Sequence, residues 1–74
     1  MESRITDLAE NLRRAYAAAP QGDKVVTIHL FGIRHAERLK GANLQDLAER
    51  AGIGASFGTE LRKGVRLAEF VQIL

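Results

Sequence analysis

The chain lacks cysteine and tryptophan, and it has only one proline and one methionine in 74 residues. Without cysteine there is no disulfide framework, no thiolate zinc site and no thiol nucleophile. Small secreted domains usually need such staples, so the expected compartment is a reducing cytoplasm. Long hydrophobic runs are missing too, and none approaches the ~20 apolar residues of a membrane-spanning helix. The first ten residues, MESRITDLAE, carry acids early and have no apolar block of the secretory kind. A strong charge of one sign is also lacking. Eleven Lys and Arg oppose nine Asp and Glu, a net charge of +2. The isoelectric point near 9.5 just clears the range typical of nucleic-acid-binding domains. The hydrophobic fraction of 46% is ordinary for a folded domain and too high for a disordered tail. A chain this short buries only ~60% of its unfolded surface. The expectation is therefore one domain, residues 1–74, with a small core.

Helical periodicity dominates. Ile5, Leu8, Leu12, Ala15, Tyr16 and Ala19 form one apolar stripe, with Ser3 as N-cap and Pro20 as terminator. Residues 20–23, Pro-Gln-Gly-Asp, read as a loop. The β-branched run Val25–Ile28 is ambiguous. It suits a short strand, or Thr27 caps a helix that starts at Ile28 and runs to Leu39. In that helix Ile28, Phe31, Ala36 and Leu39 share a face, and Gly32 suggests close approach of another helix. Gly41 then acts as a stop. Asn43 caps the next helix, whose buried side is Leu44, Leu47, Ala48 and Ala51. A further helix is expected from about Ala55 to Lys63, closed by Gly64. The tail from Val65 to Leu74 suits a short helix or a strand. If extended, residues 71–74 could pair with 24–27 as a minor two-stranded ribbon. The fold class is thus mainly α, a compact bundle of four to five helices.

The turn Gly52-Ile53-Gly54 carries the functional argument, because two helices joined by so short a turn make a helix-turn-helix. Ala48, four residues before Gly52, is small enough for the second helix to cross closely. Gly52 permits the positive φ that a sharp turn demands. Ile53 fills the wedge, and Leu61 points the second helix into the core. Leu44-Gln45-Asp46-Leu47-Ala48-Glu49-Arg50-Ala51-Gly52-Ile53 resembles the opening of a lambda-repressor-like helix-turn-helix of bacterial or phage origin. The stretch SFGTELRKGVRL is similar to that group's recognition helix and its basic exit, here Lys63-Gly64-Val65-Arg66. The chain with IHLFGIRHAERL ahead of it resembles small bacterial helix-turn-helix-like proteins. One departure stands out. Six residues after the turn glycine the group usually has a buried β-branched residue, and here it is Gly58. Either Phe57 supplies the lost volume or the helix is pulled unusually close.

The resemblance implies base-reading positions at Gly54, Ala55, Ser56, Thr59 and Glu60. Of these, Ser56 and Thr59 can bond bases or phosphates, while Glu60 accepts only from cytosine and otherwise repels the backbone. Direct readout is therefore thin, and Arg62, Lys63 and Arg66 act on phosphates. Gln45 and Asn43, at the front of the preceding helix, are further phosphate contacts. Between Arg34 and Arg66 seven basic residues face four acids, and Arg62, Lys63 and Arg66 are the densest group. The bland alternative is a solvated surface. Nothing points to an enzyme. His29 and His35 are six apart, ~120° off a common helical face, where a metal pair needs three or four. Ser56 has no His-Asp arrangement near it. The acids Glu37, Asp46, Glu49 and Glu60 read as surface charge, and the glycines at 52, 54 and 58 lack the lysine of a phosphate loop. The expected protein is a cytoplasmic transcription regulator without cofactor or metal, binding double-stranded DNA as a homodimer. One unit reaches only one major groove, so a dimer on two half-sites gives useful affinity. Tyr16 on the first helix and the apolar Phe70–Leu74 tail are candidate dimer surfaces. The alternative is a module that binds a protein partner on the same scaffold without DNA.

Overall fold

The computed structural model describes the backbone of residues 2–74 and the side chains of residues 5–74. The first helix, α1, runs Glu2–Ala18. It buries Leu8, Ala9 and Leu12 and half-buries Tyr16, as the periodicity implies. Ser3 lies inside this backbone span, and its side chain, expected as the cap, is outside the described residues. On the solvent face Glu10 pairs with Arg13 and Arg14. The Arg13 hydrogen bond leads in holding the Glu10 carboxyl below its ordinary range, with Arg14 adding to it against a desolvation cost.

After Pro20 a single 3-10 turn, Gln21–Asp23, leads into α2, Lys24–Arg34. The β-branched residues are therefore helical, and no ribbon forms. Thr27 is not a cap, since the helix starts three residues earlier. Packing outweighs strand propensity here, because Ile28, Phe31 and Gly32 are all buried at helical spacing. Lys24 secures the entry: its Nζ donates to the Tyr16 carbonyl at 2.6 Å and lies 4.8 Å from the Tyr16 ring centroid. The expected long helix to Leu39 is broken at His35 (φ −110°, ψ 22°), and a one-turn helix, α3, follows at Ala36–Leu39. The His35 ring packs on Phe31 at 4.4 Å. Burial, then the guanidiniums of Arg38 and Arg34, lower its pKa below the ordinary histidine value.

Helix α4, Leu44–Arg50, matches expectation closely. Asn43 Oδ1 accepts from the Asp46 N–H at 2.9 Å, and Leu44, Leu47, Ala48 and Ala51 are buried. The last helix, α5, is Gly58–Leu67. Beyond a turn at 68–70, residues 71–74 have no regular structure. The fully buried side chains Leu8, Leu12, Ile28, Leu39, Leu47 and Leu61 come from all five helices. Each contributes about 1.5–3 kcal/mol of burial. Among the described residues no helix is long and apolar enough to cross a membrane.

Candidate nucleic-acid interface

The α4–α5 connection is bent as its glycines require. Gly52 has φ +80° and Gly54 φ +103°. The Gly52 N–H returns to the Glu49 carbonyl at 2.9 Å, and the Ile53 N–H to Ala48 at 3.2 Å. Ile53 packs half-buried on the core, while Ala48 and Leu61 have no exposed surface. The second helix differs from the expected span. Ala55–Phe57 form a 3-10 turn, and α5 proper starts at Gly58. Gly64 does not close the helix but lies buried inside it.

Missing side chains let the helices approach. A Cβ at Gly58 would sit 2.8 Å from the Gln45 Cα and N. The start of α5 is thus pressed onto α4, and Phe57 packs instead on Tyr16, ring centroids 5.6 Å apart. A Cβ at Gly32 would lie 2.7 Å from the Leu61 carbonyl oxygen and 2.9 Å from the Gly64 Cα. One at Gly64 would fall against the His29 carbonyl. This is the close approach that Gly32 implied, and its partner is Gly64.

With Gly58, Leu61 and Gly64 facing inward, 100° per residue leaves one face of α5 in solvent. Thr59, Arg62, Lys63, Arg66 and Leu67 are exposed there. Such a basic helix face beside a bent helix pair is what a helix-turn-helix offers DNA. A family model described as an HTH-like domain matches residues 4–73. The chain belongs to the HTH-like domain family. No curated protein and no solved structure matches it.

Within this HTH-like domain the nominated residues fall into three groups. Thr59, Arg62, Lys63 and Arg66 share the outward face of α5. Arg62 makes no ion pair among the described residues, Lys63 Nζ is 3.5 Å from Glu60, and Arg66 Nε is 3.9 Å from Glu69. At such separations these exposed cations are held weakly. Gln45 is exposed on the first turn of α4, its backbone beneath Gly58, and Ser56 is exposed on the 3-10 turn. Gly54 and the half-buried Ala55 shape the turn between them, while exposed Asn43 is occupied as a cap. Glu60 stands apart. Its side chain turns onto α2, where Oε1 meets His29 Nε2 at 2.6 Å. That hydrogen bond, opposed by desolvation and supported by the charge of Lys63, holds the Glu60 carboxyl below its usual range.

Sequence reasoning placed His29 as a packing or surface residue, which its half-buried position bears out, but missed its contact with Glu60. The available signal was its place three residues before Gly32, on the same helical face. The glycine that marked a crossing also marked that histidine as lying at it. Among the described residues no group of three metal-ligating side chains occurs. The tail does not cover α5's basic face. Instead Val71, Ile73 and Leu74 line a groove with Ile33, Ala36 and Ala68.

Proposed function

We propose that this HTH-like domain is a small transcription regulator that binds double-stranded DNA with α5 in the major groove. The supporting observation is the outward face of α5, where Arg62, Lys63 and Arg66 are exposed beside Thr59 among the described residues. The three cations engage phosphates, and the hydroxyls of Ser56 and Thr59 are the main groups that reach base edges. Readout is therefore led by the backbone. The lambda-repressor-like docking implied by residues 44–67 fits this assignment. The protein acts as a homodimer, because one recognition helix reads only one half-site. Exposed Val26, Leu30, Leu67 and Phe70 support a protein contact, with a second copy as the partner. Tyr16 supports it less, since Phe57 and Lys24 already occupy it.

The same apolar residues favour a second reading, a protein-interaction module without DNA. A salt titration separates the two. Binding of a labelled random duplex should weaken steeply with salt, with a log–log slope of about −0.9 per neutralised phosphate. Arg62→Ala with Lys63→Ala should weaken all sequences alike and flatten the slope by about 2. No binding at low salt, or affinity indifferent to salt, would eliminate the DNA reading.

A further inference from the structure

Glu60 lies on the first turn of the helix proposed to enter the groove, where a free carboxylate would oppose phosphate. Its side chain is nevertheless about three-quarters covered: relative exposure is 24%, against 59% for Lys63 one turn on. His29 is the residue on α2 that meets it. The histidine sits on α2 at the tightest point of the α2–α5 crossing, its carbonyl against Gly64 and its Nε2 2.6 Å from Glu60 Oε1. The backbone contact fixes where the imidazole starts, and the glycine permits α2 to come near enough for the ring to reach. The other carboxylate oxygen faces Lys63 at 3.5 Å.

We infer that His29 is a positioning residue for DNA binding, holding the Glu60 carboxylate on α2 and out of the groove. This inference rests on the DNA reading above. Glu60 then serves as an intramolecular anchor, not as a cytosine acceptor. Without His29 the carboxylate is free to swing toward the Thr59–Lys63 face. There it repels phosphate at short range and tightens its existing 3.5 Å pairing with Lys63.

The test is a double-mutant cycle read by fluorescence anisotropy on a labelled random-sequence duplex of about two helical turns, at fixed low salt. His29→Ala should weaken binding by about threefold to tenfold, the order expected when one charge moves several ångströms nearer a phosphate in a high dielectric. His29→Gln, which keeps an N–H donor, should stay within about twofold of the parent. Glu60→Gln alone should bind at least as tightly as the parent. In the Glu60→Gln background the His29→Ala loss should disappear, since no carboxylate remains to restrain. A loss that persists in that background would mean that His29 touches DNA or only supports the fold, and would overturn the inference. So would Glu60→Gln weakening binding, the mark of a direct base contact. If His29→Ala does not fold by circular dichroism, the Glu60→Gln and His29→Gln variants still decide it: weakened binding in either overturns the inference. Failure of the parent to bind at low salt overturns the DNA reading instead, so the two failures are distinguishable.

Discussion

Two junctions hold α5 in place, and both are built on glycine for opposite reasons. At the α2–α5 crossing, Gly32 and Gly64 have ordinary helical backbones and are needed for what they lack. A Cβ at either would lie within 3 Å of backbone atoms of the other helix. At the α4–α5 elbow, Gly52 and Gly54 have no atom within 4 Å of a would-be Cβ and are needed for their positive φ. The crossing uses the missing volume and the elbow turn the conformational freedom, while Gly58, just past the turn, also leaves room for Gln45. The cost of substitution should follow the same division, because a clash between two backbones has no local escape, whereas an unfavourable dihedral is a bounded penalty.

The largest effect is therefore expected at the crossing. Gly64→Ala gains about 1 kcal/mol of helix propensity. It loses more, because α5 must move off α2 and uncover Leu61 and Gly32. Overpacking usually costs about 1–3 kcal/mol and more against rigid backbone. A net loss of about 3 kcal/mol would remove much of the stability of a domain this small. Urea unfolding measures it, and Gly32→Ala should behave alike. A Gly64→Ala variant as stable as the parent would show that the helices can part cheaply, and the comparison between junctions would fail.

This division also explains how much could be read from the chain. Helix α4 was legible to the residue, because its cap, its apolar side and its terminal glycine are all local signals. Gly32 was legible as a contact because it interrupts an otherwise apolar helical pattern. Gly64 was not. A glycine after Arg62-Lys63 looks like a helix stop, and only a partner 32 residues away in sequence makes it a crossing residue. The break at His35 was hidden because the sequence around it, Ile33-Arg34-His35-Ala36, holds no glycine or proline to mark it. At the candidate interface the exposure of the cations Arg62, Lys63 and Arg66 follows from their density and helical spacing. The orientation of Glu60 does not, because its partner lies on another helix.

Next in size are the elbow glycines, which should differ from each other. Gly54 combines φ +103° with ψ 138°, a region all but closed to residues with a Cβ. Gly52, at φ +80°, is nearer the left-handed region that Asn tolerates. Gly54→Ala should cost about 2–3 kcal/mol and Gly52→Ala about 1–2 kcal/mol. Gly52→Asn should recover part of that loss, whereas Asn at position 64 should not rescue at all. Equal recovery at positions 52 and 64 would show that the same constraint acts at both.

The smallest effect sharpens the comparison by removing both constraints. Gly22 sits in the 3-10 turn before α2, exposed, with no positive φ and nothing within 4 Å of a would-be Cβ. Alanine fits there without strain or contact, so the folded state is unchanged. The unfolded chain, however, loses freedom it would otherwise keep. Gly22→Ala should therefore stabilise by about 0.4–1 kcal/mol. In a domain of this size that raises the melting temperature by a few degrees, since 1 kcal/mol corresponds to about 4–8 °C. The sign is the informative part. Glycine at this position would be a cost that neither packing nor backbone geometry requires, whereas at positions 32, 64, 52 and 54 the same residue is what lets α5 sit where it does. A fall in melting temperature at Gly22→Ala would mean that volume and φ do not together account for the chain's glycines.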